Sequence, residues 1–150
     1  MIRPAVKQDM PAIMALWLVS TTEAHPFISA QYWHESEAVV RDTYLPNALT
    51  WVAEDKGEII GFISVLEQQF IGALFVDKRY HGKGVGQLLM MHVKMIFPQL
   101  MLEVYLENHR ALRFYQREGF HIQDTQFNED TQHKTGIMLW EKTPGAWLED

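Results

Sequence analysis

The chain has 150 residues, 47% hydrophobic and 21% charged, which suits one globular domain spanning 1–150 and excludes intrinsic disorder and a second independent core. Thirteen Lys and Arg against 19 Asp and Glu leave a net charge of -6, so no nucleic-acid partner is expected and a cationic one is favoured. Cysteine is absent, which excludes disulfides, thiolate metal sites and a cysteine nucleophile and makes a reducing compartment the default. The start, MIRPAVKQDMPAIMALWLV, has too short an apolar run to span a membrane and a Pro-Ala-Val where a signal sequence needs its core. A cytoplasmic protein with no membrane partner is expected, as monomer or homodimer.

Ile2 to Val6 reads as a short edge strand, since Pro4 is tolerated only at an edge. Asp9 is placed to cap a helix carrying Ile13, Leu16 and Trp17 at helical spacing. After the connection STTEAHPFIS, Ser29 caps a second helix. Its common face carries Tyr32 or Trp33, Ser36, Val39, Val40 and Tyr44, and Pro46 ends it. TWVAE and IIGFISVLEQ flank the turn DKGE as a hairpin. Phe70 to Val76 is continuously apolar, as a strand covered on both faces would be. The turn HGKGVG opens a helix with Val85, Leu88, Leu89, Val93 and Ile96 on one stripe, stopped by Pro98. LMLEVYL reads as another buried strand. Asn108 caps a helix with Leu112, Phe114 and Tyr115, which Gly119 closes, and the strands FHIQD and GIMLW follow. The order β-α-α-β-β-β-α-β-α-β-β describes a mixed α/β domain.

The sharpest local signal is Gly82, Gly84 and Gly86 between a strand and an amphipathic helix. Unhindered backbone N–H groups at a helix start suit phosphate, and Lys78, Arg79, His81 and Lys83 surround the turn with positive charge. A polyanionic small ligand fits both facts; the alternative is a tight turn needing glycine for geometry alone. Lys83 is followed by Gly84 rather than Ser or Thr, and the spacing is GxGxG, so neither a Walker loop nor a dinucleotide fingerprint is present. No HxE, HxxxH or DxD constellation gathers the seven histidines, and no metal site is expected.

VDKRYHGKGVGQLLM resembles motif A of the GNAT superfamily of acyl-CoA-dependent N-acetyltransferases, with His81, Gly84 and Gly86 at its three defining positions. His81 is a departure, since Arg or Gln is usual there. LEVYLENHRALRFYQREGF resembles motif B, with Asn108, Ala111, Phe114, Tyr115, Gly119 and Phe120 in place. The resemblance runs over essentially the whole chain and is greatest to small bacterial enzymes acetylating protein or peptide amines. It implies a mostly antiparallel mixed sheet with a V-shaped splay between two central strands, flanked by about four helices.

The resemblance also implies acetyl-CoA as co-substrate and assigns its seat. Leu74, Phe75 and Val76 would pair with the pantetheine arm beyond a bulge. Gly82, Lys83, Gly84, Val85 and Gly86, with His81, would take the pyrophosphate, and Lys83 or Arg79 the adenosine phosphates. Asn108 would touch the arm besides capping its helix. Glu103 interrupts six apolar residues between Leu100 and Leu106, and burial would raise its pKa from about 4.3 toward a range useful to a base. It could equally pair with an Arg or face water. By itself Tyr115 reads as a packed aromatic; the resemblance makes it the acid that protonates the departing thiolate. His25, Trp33 and Phe70, with Phe27, fall in segments that line acceptor sites, where each could also be a core aromatic or a solvated histidine.

Without cysteine a covalent cysteine acyl-enzyme is excluded, leaving direct attack by a primary amine. The expected acceptor is a protein or peptide amine, a lysine side chain or N-terminus. The alternatives are a small cationic amine (polyamine, amino acid or drug), aminoacyl-tRNA, which the acidic charge disfavours, and a non-catalytic acyl-CoA-binding module.

Overall fold

The computed structural model describes residues 1–142, and its helices and strands follow the order expected from the sequence. They are β1 (Ile2–Pro4), α1 (Met10–Ala24), α2 (Ala30–Val39), β2 (Ala48–Asp55), β3 (Glu58–Leu66), β4 (Phe70–Val76), α3 (Val85–Ile96), β5 (Gln99–Tyr105), α4 (His109–Arg117), β6 (His121–Asn128) and β7 (His133–Glu141). No helix among the described residues is long and apolar enough to cross a membrane.

The fold is mixed α/β, with one seven-stranded sheet in the order β1-β2-β3-β4-β5-β7-β6. Every neighbouring pair is antiparallel except β4 and β5, which run parallel. Alternation along β3 sends Phe62 to one face and Ile63 to the other, and both are fully buried. Phe62 joins Ile13, Met14, Trp17, Leu45 and Val52 beneath α1, while Ile63 joins Leu89, Met90, Val93, Leu100, Leu102 and Tyr115 beneath α3 and α4. Each of the largest of these side chains contributes about 1.5–3 kcal/mol by leaving water, so the sheet is held from both sides.

The joint between β4 and β5 is nearly absent. One register pair, Phe70 with Met101, links them, supported by the Met101 N–H donating to the Gln69 carbonyl (2.8 Å) and the Gln99 side-chain amide to Gln69 Oε1 (2.7 Å). Pairing of β3 with β4 steps from Ser64–Ala73 to Val65–Ile71, leaving Gly72 as an extra residue. A bulge of this kind bends its strand. Beyond it β4 diverges from β5, giving the V-shaped splay.

Several local expectations are corrected. Neither β4 nor β5 is covered on both faces. In β4 only Ile71 is buried, and in β5 burial alternates, with Leu100, Leu102 and Val104 inward and Met101, Glu103 and Tyr105 outward. The reason is the V, which leaves one side of each strand facing an opening. Asp9 does not cap α1 with its side chain: its carboxylate accepts the Val6 N–H (2.8 Å) and two bonds from Arg3 (2.8 and 3.0 Å), tying the first turn to β1. In α2 Trp33 and Val40 pack inward while Val39 and Tyr44 stay exposed, because the helix widens over Val40–Tyr44 before the turn containing Pro46. The inward stripe of α3 is Leu89, Met90 and Val93; Leu88 and Ile96 are exposed. Ser29 and Asn108 cap as expected, and Gly119 closes α4 in the left-handed region (φ +94°).

Candidate active site

The splay opens a cleft of about 1420 Å³, walled by Leu74, Phe75 and Val76 on one side and Leu102, Glu103, Val104 and Tyr105 on the other. Past Phe70, β4 has lost its β5 partner, so these backbone edges are open to a ligand.

Tyr115 is delivered by α4. The Asn108 side chain accepts the Ala111 N–H (3.3 Å) and starts the helix beside the end of β5. Two turns on, the Tyr115 ring is wedged between Phe114 and Phe120 at centroid distances of 5.4 and 5.7 Å. It is buried yet lines the cleft, and its hydroxyl makes no hydrogen bond among the described residues. Burial pushes the phenol above its ordinary range, so it keeps its proton at neutral pH.

Glu103, on β5, lines the same cleft. The expectation of a desolvated carboxylate is corrected: Glu103 is exposed, because its side of β5 faces the cleft rather than protein. It is held there by the buried Thr135 hydroxyl, which donates to Oε2 at 2.5 Å.

The glycine turn forms the cleft's third side. Gly82 and Gly84 adopt φ of +78° and +84°, a region closed to most side chains, and a Cβ at either would meet nothing within 4 Å. They therefore leave an open cradle at the N-terminus of α3, whose cap Gly84 has no side chain to occupy the first N–H groups. Gly86 takes ordinary helical backbone packed near Phe114. His81, Gly82, Gly84, Val85, Gly86 and Asn108 all line the cleft; Lys83 does not, its ammonium lying 5.5 Å from the Tyr80 ring.

Positive charge is arranged differently from the sequence reading. Arg79 is committed to Asp77 (3.0 Å) and Glu58 (2.9 Å), and its bond holds the Asp77 carboxyl below the usual range. Lys78 lines the cleft as read, and further charge facing the turn comes from Arg110 of α4, which the sequence reading missed. Its Nη1 donates to His81 Nδ1 at 2.6 Å, while His81 Nε2 lies 2.8 Å from the Val76 carbonyl. A guanidinium only donates and a carbonyl only accepts, so both bonds form only with neutral His81 protonated on Nε2. A signal existed: a cation in the first turn of a helix opposes the helix dipole and needs another reason to be there.

On the acceptor side, His25 and Trp33 line the cleft beside Tyr105. His25 ends α1, bonds the Thr21 carbonyl through Nδ1 (2.7 Å) and packs against Phe27, Trp33 and Tyr105. Burial holds its imidazole below the usual histidine range, outweighing the opposite pull of the Thr21 bond. Phe27 stacks on His133, itself paired with Glu107 (2.7 Å). Phe70 does not join this group: it sits at the closed end of the V opposite Met101, outside the cleft lining. Among the described residues no three metal-ligating side chains gather.

Residues 10–120 match the model of the acetyltransferase (GNAT) family. The chain belongs to that family. It is 48% identical over 140 residues to the peptidyl-lysine N-acetyltransferase YiaC of Escherichia coli (strain K12), covering 93% of this chain and 96% of that protein. Among solved structures, the apo form of YjaB from Escherichia coli superposes with a TM-score of 0.81 at 29% identity, over 95% of this chain and 98% of that one. The PaiA N-acetyltransferase of Thermoplasma acidophilum, solved in complex with coenzyme A, shares the fold at a TM-score of 0.78 and 17% identity, over 94% and 98% of the two chains. The chain is thus an N-acetyltransferase, which transfers acetyl to an amine.

Proposed function

We propose that this N-acetyltransferase moves acetyl directly from acetyl-CoA to the side-chain amine of a lysine in a protein or peptide, with Tyr115 as acid and Glu103 as base. The observation that carries the reading is a protonated, unpartnered Tyr115 hydroxyl and an open Glu103 carboxylate lining one cleft. The glycine cradle lines the same cleft.

The residues fit acetyl-CoA part by part. The open edge at Leu74, Phe75 and Val76 matches an arm that carries amides, and Asn108 borders the same space. Gly82 to Gly86 present backbone N–H groups to a pyrophosphate, with Arg110 as the nearby guanidinium in the role sequence reasoning gave to Arg79 or Lys83. Bound there, acetyl-CoA supplies an activated thioester. Glu103 takes the proton from the attacking amine, directly or through a water, and its Thr135 bond fixes the carboxylate's direction. Tyr115 gives its proton to the departing thiolate. Transfer by this route needs no covalent enzyme intermediate, and the chain has no cysteine to form one.

The lysine assignment draws on the relative YiaC, named a peptidyl-lysine N-acetyltransferase. An acceptor screen with acetyl-CoA tests it, comparing lysine peptides, N-terminal peptides, polyamines and amino acids by thiol release. Lysine peptides should give the highest kcat/KM. Preference for a polyamine would move the substrate to small amines, and acetyl-CoA binding without turnover of any amine would make the protein a binding module.

A further inference from the structure

The cleft lining also holds a buried histidine that the proton transfers above do not use. Its two ring nitrogens are in different situations. Nδ1 of His25 sits 2.7 Å from the Thr21 carbonyl, an obligatory acceptor, so the ring proton is on Nδ1 and Nε2 carries a lone pair. No described residue donates to Nε2, although the ring is only 8% exposed and lines the cleft. A cleft-lining acceptor without a protein partner is free to take a donor from a ligand.

We propose that His25 seats the acceptor: its Nε2 accepts an N–H of a lysine side-chain ammonium that enters between Trp33 and Tyr105, beside Glu103. The inference rests on the acetyl-transfer reading and adds to it the group that holds the amine. Three features select that ligand. Nε2 can only accept, so it takes a hydrogen-bond donor, which an ammonium supplies. Burial keeps the imidazole neutral, so it does not repel a cation. The surroundings are aromatic, with Phe27, Trp33 and Tyr105 at 5.1–5.8 Å from the His25 ring, which suits a methylene arm ending in a cation. A lysine ammonium follows four unbranched methylenes that can lie along these rings; an N-terminal amine stands on a carbon that already bears a side chain and the peptide. Glu103, two residues before Tyr105 and on the same side of β5, is placed to receive the proton once the amine is held.

Two substitutions separate seating from packing, because they keep opposite halves of the ring. His25→Asn keeps a donor for Thr21 and removes the acceptor at Nε2; His25→Gln keeps an acceptor near Nε2 and removes the Thr21 bond. The seat predicts that Asn raises the lysine-peptide KM about ten- to a hundredfold, the worth of one hydrogen bond to a charged group, while Gln stays within about threefold. The acetyl-CoA KM should move in neither. The reverse ranking, or equal losses in peptide and acetyl-CoA KM, overturns the seat. A substrate-side test on the unaltered enzyme is independent of folding. A peptide with trimethylated lysine, which has no N–H, should compete at least tenfold more weakly than the dimethylated one, which has one; equal competition overturns the seat. If the unaltered enzyme turns over no amine, the transfer reading falls and the seat with it. If it does, with both variants indifferent, the seat alone falls.

Discussion

Replacing Tyr115 by Phe removes one oxygen and nothing else. The ring keeps its edge-to-face contacts with Phe114 and Phe120, and because the hydroxyl has no hydrogen-bond partner among the described residues, no bond is broken. The hydroxyl is open to the cleft rather than sealed in the core, so its loss relieves no burial penalty and the melting temperature should stay within about 2–4 °C, the equivalent of about 1 kcal/mol. Turnover, by contrast, should fall. Loss of a positioned acid costs about 10²- to 10⁴-fold, or roughly 2.7–5.5 kcal/mol of barrier at about 1.36 kcal/mol per tenfold. Steady-state thiol release with a lysine peptide and varied acetyl-CoA reads kcat and KM separately, and a thermal melt of the same sample reads stability. The expected result is a large fall in kcat, an acetyl-CoA KM within about twofold and a nearly unchanged melting temperature. Since burial holds this phenol above its usual range, it should add no falling limb to the wild-type profile below about pH 10. Equal losses in kcat and acetyl-CoA affinity, or a kcat that falls only as far as the protein destabilises, would refute the acid role.

Glu103→Gln keeps an acceptor for Thr135 and should leave the melting temperature nearly unchanged while lowering kcat/KM about 100-fold and altering its pH profile; an unaltered profile removes Glu103 from proton transfer. Arg110→Gln should raise the acetyl-CoA KM about tenfold. Adding His81→Ala should cost little more, because the imidazole acts through the guanidinium it holds; additive losses in a double-mutant cycle would sever that link. Asp9→Asn should lower the melting temperature at neutral pH. Arg3 holds the Asp9 carboxyl below its usual range, so its stabilisation is complete above about pH 3.9, the unfolded value, and is lost as pH falls through the folded one. Melts repeated into acid should therefore see the two proteins converge.

Local chemistry made much of this legible. The caps at Ser29 and Asn108, the closing glycine at 119 and the strand-to-helix glycine turn are signals with one dominant physical meaning each, and they stand where the sequence puts them. Misreadings came where burial depends on partners far along the chain. The apolar runs around Phe70 and Leu100 look like strands covered twice, yet the space between them is the cleft, and Glu103 is consequently exposed. Phe70 lies only a few residues from the cleft wall in sequence but at the closed end in space. Asp9 had a helix start beside it and chose an arginine six residues earlier. Arg110 was hidden because its partner, His81, sits 29 residues away.

The near-missing joint between β4 and β5 has a consequence for how the protein behaves in solution. A sheet normally exposes two edges; this one carries two more inside itself, facing each other across a gap too wide to zip. Such edges invite pairing with foreign strands. Here each is screened by the other and by the helices flanking the gap, and an amide-bearing arm laid along β4 would complete the screen. Saturation at 100 times Kd would add about 2.7 kcal/mol to the folded state. The empty enzyme is thus the form most prone to aggregate, and its own substrate doubles as its preservative.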